Sequence, residues 1–243
     1  MIRWGGERAH AGPWRAEGSI ALLVPVPDGR ARSADFARRC LAVLAAQGYR
    51  RVVTGALGPE EQLGFLEAGF EVYEELHLLV LDDFADLPSA PEGPRLHRAG
   101  RTRKAGILDV DARAFSPFWR LDRAGLKDAL GATPRRRLRV VLGDRRRVTG
   151  YAICGASGQR GFVQRLAVLP EAQGFGLGRR LLLDGLSWLR RSGVGQVSVN
   201  TQQGNLAALS LYRRVGFRDD PAGLRVLTAD LSAAKAVDEV IEG

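Results

Sequence analysis

The stretch that most restricts the fold is "GFVQRLAVLPEAQGFGLGRRLLLDGLSWL", residues 161–189. An apolar run suited to a buried strand passes within a few residues into three glycines, Gly174, Gly176 and Gly178. Leucines at helical spacing follow, with Leu182, Leu186 and Leu189 on one face. A strand that turns through an open loop into an amphipathic helix belongs to an α/β arrangement. The loop also has a chemical consequence. The first turn of a helix leaves backbone N–H groups without partners and carries partial positive charge, and glycines let a ligand reach them, so this is a candidate anion site with Arg179 just beyond. The spacing is not that of a P-loop, since no Lys-Ser or Lys-Thr pair follows the last glycine. A dinucleotide fingerprint also fits poorly, because the next strand-like run, "QVSVNTQ", carries Asn200 near its end instead of an acid.

The rest of the chain fits around this unit. "DLPSAPEGPR", residues 86–95, has three prolines and reads as a linker. The expected division is therefore 1–87, a linker at 88–95, a main domain at 96–231 and a tail at 232–243. Within the main domain a helix-rich stretch over about 105–130 comes first. A hairpin follows, with Arg135, Arg136, Arg137 and Arg139 before a Gly143-Asp144 turn and Arg145 to Arg147 after it. Then come the strand, glycine loop and helix, the strand "QVSVNTQ", a helix "NLAALSLYRRVG" stopped by Gly216, and a last strand "GLRVLTADL". The net charge of +9 comes almost wholly from arginine, with lysine only at 104, 127 and 235. The hairpin arginines read either as a solvated edge that blocks strand pairing or as a ligand-binding patch. Nucleic-acid binding is a third reading of the charge. Cys40 and Cys154 lie in apolar segments without metal-ligand neighbours and read as reduced core residues. No run approaches the roughly 20 apolar residues of a membrane span, and the first thirty residues lack a secretory pattern, so a cytoplasmic protein is expected.

A second motif sharpens the picture. In "NTQQGNLAALSLYRRVGF" Asn205 and Tyr212 stand two helical turns apart, on one face, with Ala208 between them. Together with the glycine loop this closely resembles the GNAT superfamily of acyl-CoA-dependent N-acetyltransferases. Gln173, Gly176 and Gly178 match its pyrophosphate loop, and Asn205, Ala208, Leu211, Tyr212, Gly216 and Phe217 match its later helix. The resemblance covers about residues 96–231 and implies an α/β (α+β) fold with a mixed central sheet flanked by helices. It implies acetyl-CoA as cosubstrate, no metal, and an amine acceptor. Backbone groups of Leu166, Ala167 and Val168 would pair with the pantetheine arm. Gln173, Gly174, Phe175, Gly176, Leu177, Gly178 and Arg179 would hold the pyrophosphate, Asn205 and Ala208 would meet the arm, and Tyr212 would protonate the departing thiolate. Read without the resemblance, Asn205 is equally a helix N-cap and Tyr212 a core residue.

The reaction also needs a neutral amine, and neither "FVQRLAV" nor "QVSVNTQ" contains an acid. Alanine N-terminal acetyltransferases carry a glutamate five residues before the helix-opening Asn, where this chain has Asn200. Three answers stay open: Gln164 and Asn200 orient a relay water, an acid such as Asp109, Asp111 or Asp122 reaches in, or the acceptor arrives already neutral. Phe115, Phe118 and Trp119 read as an aromatic wall over the acceptor or as core. The phrase "ARAFSPFWRLD" faintly resembles the same alanine acetyltransferases, which points to a protein N-terminus or lysine. A small-molecule amine and a non-catalytic acyl-CoA-binding module are the alternatives. Acceptor identity, acyl length and oligomeric state are not readable.

The first ninety residues repeat part of this pattern. Gly69-Phe70 and Gly216-Phe217 stand 147 positions apart, and "RRVVTGAL" lies where "GQVSVNTQ" lies. At the 147 offset Phe65 replaces Tyr212 and Gly58 replaces Asn205, while "ALLVPVPDGRARSADF" holds the place of the pyrophosphate loop without its Q-x-x-G-x-G pattern. This resembles a degenerate partial GNAT repeat, as in tandem GNAT proteins, stacked so that each half covers apolar surface of the other.

Overall fold

The computed structural model describes residues 1–15, 17–26, 32–82, 87–89 and 91–232. The stand-in for the pyrophosphate loop at 27–31, part of the expected linker and the tail from 233 lie outside these residues. Two compact units form, and they cut across the expected boundaries.

Unit 1 comprises Met1–His77, Gln202–Gly204 and the chain from Pro221. Strands β1 (Ile2–Trp4), β2 (Glu7–Trp14) and β3 (Glu17–Pro25) form an antiparallel meander. Helix α1 (Ala34–Ala46) then crosses to β4 (Arg51–Leu57), which runs parallel to β3. Ser33 caps α1 by accepting from the Phe36 N–H. Helix α2 (Pro59–Glu67) leads into β5 (Glu71–Leu81). Leu23, Phe36, Cys40, Leu44, Val52, Phe65 and Leu227 are fully buried in one core. Phe65 meets Phe70 edge to face at 5.1 Å, so the residue at the Tyr212-equivalent position is a core plug. Strand β11 (Arg218–Asp230) completes this unit, pairing antiparallel with β4 from Arg225↔Leu57 to Asp230↔Arg51. The strand read from sequence as the last of the main domain thus pairs with β4 of unit 1.

Unit 2 comprises Leu78–Thr201 and Asn205–Asp220. Its elements are β6 (Leu96–Arg98), α3 (Lys104–Ala114), α4 (Arg123–Gly131), β7 (Arg135–Leu142), β8 (Val148–Ser157), β9 (Arg160–Val168), α5 (Leu177–Arg191), β10 (Gln196–Gln202) and α6 (Leu206–Val215). The strand order runs from the end of β5 through β10, β9, β8 and β7 to β6. Residues of β8 and β9 alternate between two faces, as the pleat requires. On one face Cys154, Val163 and Val197 pack under α5 and α6 through Leu182, Leu186, Leu189 and Leu209. On the other, Tyr151, Ile153 and Ala167 pack under α3 and α4 through Ile107, Val110 and Leu126. Gly185 lets α5 lie close on the sheet, since a Cβ there would stand 2.4 Å from Cys154 Sγ. Burial lifts the thiols of Cys40 and Cys154 to about 12, in keeping with inert core cysteines.

The basic hairpin forms as expected but is not a bare edge. β6 covers Arg139–Val141 of β7, and Arg137 grips Asp184 of α5 through two contacts of 2.7 Å. The proline-rich segment is likewise no free spacer, because Leu87 packs on the core of unit 2 and Arg180 donates to the Pro91 carbonyl.

Each half has the order strand, helix, strand, helix, strand, with β3-α1-β4-α2-β5 answering β9-α5-β10-α6-β11. At the 147-residue offset α2 begins where α6 begins to within a residue and β5 begins where β11 begins, as the repeat implied.

Candidate functional site

The site starts from a strand pair that comes apart. β9 and β10 pair in parallel only at Gln196↔Arg160, Val197↔Gly161 and Ser198↔Phe162. Beyond that register β9 continues to pair with β8, through Ala152↔Leu166, Tyr151↔Ala167 and Gly150↔Val168. No β10 residue pairs with Leu166, Ala167 or Val168 in this register, so an extended ligand could add along this stretch as a strand, except at the Val168 carbonyl, which already has a donor in Gln173.

The glycine loop follows at once. Gly174 (φ 84°) and Gly176 (φ 75°) occupy the left-handed region, and Gly176 is the N-cap of α5. The loop therefore ends with the first N–H groups of α5 facing outward, the arrangement that favours a phosphate. Gln173 donates to the Val168 carbonyl at 3.1 Å and ties the loop to the strand it leaves. Gly178 faces α6, where a Cβ would be 3.5 Å from Leu211.

A groove of about 760 Å³ connects these features. Leu166, Ala167, Val168, Gln173, Gly174, Gly176, Leu177, Gly178, Arg179, Asn205 and Ala208 all line it, together with Phe115. Phe175 does not; its ring is 78% exposed and points away. Asn205 satisfies both readings of it, since its side chain caps α6 by accepting from the Ala208 N–H at 3.2 Å while the residue lines the groove. Tyr212 does not line the groove. It is 5% exposed, its ring lies 5.7 Å from that of Phe217, and its hydroxyl makes no hydrogen bond among the described residues. It sits one turn after Ala208 on the same face of α6, packed in the core that Ala208 and Leu211 border. Burial raises its ionisation well above the ordinary tyrosine value.

The structure gives the three candidate acids other work. Asp111 is fully buried on α3, gripped by Arg165 of β9 through contacts of 2.8 and 3.0 Å, by the Tyr151 hydroxyl at 2.5 Å and by the Leu121 N–H at 2.5 Å. Burial, with the Asp111 charge second, pushes the Tyr151 phenol far up. Asp122 caps α4 through the Gly125 N–H, and Asp109 lies 3.9 Å from Arg147 on the surface. None of the three is a free base. Asn200 is exposed on β10 and does not line the groove. Gln164 is the extra residue of a bulge in β9, between Val163 opposite Cys154 and Arg165 opposite Ile153. Its Oε1 is buried without a partner.

The aromatic residues divide. Phe115 lines the groove and lies under the Arg165 guanidinium, 3.4 Å from the ring centroid. Phe118 and Trp119 meet edge to face at 5.0 Å and do not line it. Sequence reasoning missed Arg165, whose contact to the Trp119 carbonyl (2.7 Å) and grip on Asp111 fasten this segment to β9. The one signal available was a charged residue inside an apolar strand, which needs a buried partner.

A mixed sheet opened between two parallel strands, beside a glycine-rich helix start and a groove walled by a second helix, has the form suited to an extended, phosphate-bearing ligand. Residues 106–217 match the "Acetyltransferase (GNAT) family". It is similar to a mycothiol acetyltransferase of Thermobispora bispora, 34% identical over 143 residues, which make up 54% of this chain and 48% of that protein. A second mycothiol acetyltransferase, from Geodermatophilus obscurus, is 49% identical over 57 residues, 24% of this chain and 18% of that one. The chain thus spans at most about half the length of these curated relatives. In fold it is similar to a tandem GNAT protein from the clavulanic acid biosynthesis pathway, with TM-score 0.68 and 14% identity over 95% of this chain and 81% of that one. Among the described residues no helix is long and apolar enough to cross a membrane.

Proposed function

We propose that unit 2 is an acetyl-CoA-dependent N-acetyltransferase acting on a primary amine. The observation that carries this is the coincidence of an unpaired strand edge at Leu166–Val168 with the glycine loop and α6 in one groove. The edge would hold the pantetheine arm by backbone hydrogen bonds, the α5 N-terminus and Arg179 would neutralise the pyrophosphate, and the same edge would polarise the acyl carbonyl. Tyr212, one turn beyond Ala208 on the same face of α6, would supply the proton to the leaving sulfur once the thioester is seated at that end of the groove. The relatives' names favour a small-molecule amine over the protein N-terminus or lysine that the "ARAFSPFWRLD" likeness suggested. In the N-terminal half, Phe65 and Gly58 stand where the phenol and amide would be needed, so that half serves structure.

Purified protein mixed with acetyl-CoA and a panel of primary amines will release free thiol in an amine-dependent manner. Coenzyme A binding without thiol release on any amine would support instead an acyl-CoA-binding module.

A further inference from the structure

We propose that Gln164 receives the acceptor through its side-chain carbonyl, and that the acceptor is a weakly basic primary amine, largely neutral near pH 7, in preference to a lysine. The inference deepens the transferase reading and rests on it.

The geometry begins at the β9 bulge. Gln164 lies across Gly155 of β8, where a Cβ would come within 2.7 Å of Gln164 Nε2 and 2.2 Å of Thr133 Oγ1. The glycine is what makes room for the amide. Gly155 is two residues beyond Ile153 and so shares its face, the one under α3 and α4 that also carries Arg165. Nε2 makes a long contact of 3.4 Å to Thr133 Oγ1, while Oε1 is buried with no donor. A buried carbonyl left without an N–H or water is costly, so the position is built to accept one. Gln164 is two residues upstream of Leu166, about 7 Å along the strand. The phosphate end of the groove lies downstream, at 174–179. The reacting end of a ligand lying along Leu166–Val168 is therefore the end next to Gln164.

Among the described residues, the acids that α3 and α4 bring to this face beside Gln164 are both engaged. From α3 the facing acid is Asp111, saturated by Arg165, Tyr151 and the Leu121 N–H. From α4 it is Asp122, which caps its own helix. From β7 comes Arg136, opposite Gly155 in the register and exposed, and from β9 Arg165 itself. Guanidinium groups beside the amide oppose an ammonium and leave a neutral amine unaffected. An amide oxygen takes no proton, so it can orient the amine lone pair but cannot generate it.

The step balances without a base on the protein. The amine nitrogen bonds to the acyl carbonyl carbon, the carbon–sulfur bond breaks, and the nitrogen gives one proton to solvent. The departing thiolate takes one from the Tyr212 phenol, which solvent then restores. The products are the amide and the free thiol.

The test is kcat/KM against pH for three acceptors: an arylamine, glycyl-glycinamide, and the ε-amine of Nα-acetyl-lysinamide. At pH 7 the α-amine is expected to be used on the order of 100-fold better than the lysine amine, following their neutral fractions for pKa values of about 7.7–8.0 and 10.4. Each profile breaks at the amine's own pKa. Gln164→Leu lowers kcat/KM at least about 10-fold with the Kd for coenzyme A unchanged. Gln164→Glu adds a break common to all amines. Glu74 in unit 1, whose Oε2 is also buried without a partner, is the control: Glu74→Gln leaves the profiles as they are. A break fixed at one pH for every amine in the unmodified protein would overturn the inference. So would equal use of the lysine amine, an unchanged kcat/KM in Gln164→Leu, or profiles altered by Glu74→Gln. Failure of all three amines together with no uptake of coenzyme A would bring down the transferase reading as well, and is thereby distinguishable.

Discussion

Tyr212→Phe lowers kcat by about 10²- to 10⁴-fold while the Kd for coenzyme A stays within about twofold, which is the range expected for removing a positioned proton donor. The substitution deletes one oxygen and keeps the ring that packs on Phe217, so the core survives. None of the groove-lining residues changes, which is why binding is retained. Burial, and after it the neighbouring Cys154, holds the phenol protonated through any practical assay pH, so it remains a donor throughout. The linkage sign follows from the upward displacement: stability owed to the buried phenol is complete below the ordinary tyrosine value of about 10 and is lost as pH climbs past it. Paired steady-state kinetics and calorimetry check the prediction. A variant with full turnover would leave Tyr212 as a core residue only.

Asp111→Ala destabilises the protein by about 3–5 kcal/mol, because removing one member of a buried ion pair strands the rest. Three donors lose their acceptor at once: the Arg165 guanidinium, the Tyr151 hydroxyl and the Leu121 N–H. Arg165 keeps only the Trp119 carbonyl and the face of Phe115. Asp111→Asn costs less, since a side-chain oxygen can still accept. Urea unfolding followed by tryptophan fluorescence measures both, and a loss under about 1 kcal/mol for the alanine variant would show that Arg165 finds water instead. The pair matters for function through its position. It ties α3 and the Phe115–Trp119 segment to β9 one residue before Leu166, so the proposed acceptor wall and the strand edge proposed for the cofactor arm are fastened together.

The cofactor half of this site is local and could be read directly. Gln173, Gly174, Gly176 and Gly178 lie in one stretch, and Asn205, Ala208 and Tyr212 at one helix, so the resemblance that proposes them for the cofactor rests on short-range spacing. The repeat was legible for the same reason, since Gly69-Phe70 and Gly216-Phe217 punctuate equivalent helix ends. What escaped depends on contacts distant in sequence. No local signal says that β11 leaves its own domain to pair with β4, because strand partners are chosen by register and burial across some 170 residues. No local signal marks Gln164 as a bulge, which exists only as a mismatch with β8. Asp111 looked available because its partners, Tyr151 and Arg165, lie 40 and 54 residues away. Phe175 was included with the loop by position alone, and a side chain next to two left-handed glycines need not follow the backbone amides inward.

Isothermal titration of the purified protein with coenzyme A tests the central claim most directly. One equivalent should bind, and Gly176→Asp should weaken binding at least about 100-fold, since it sets a carboxylate where a diphosphate would lie and forces a left-handed φ of 75° on a residue with a Cβ. No heat of binding, or a Gly176→Asp protein that takes up coenzyme A as tightly as the original, would contradict the account.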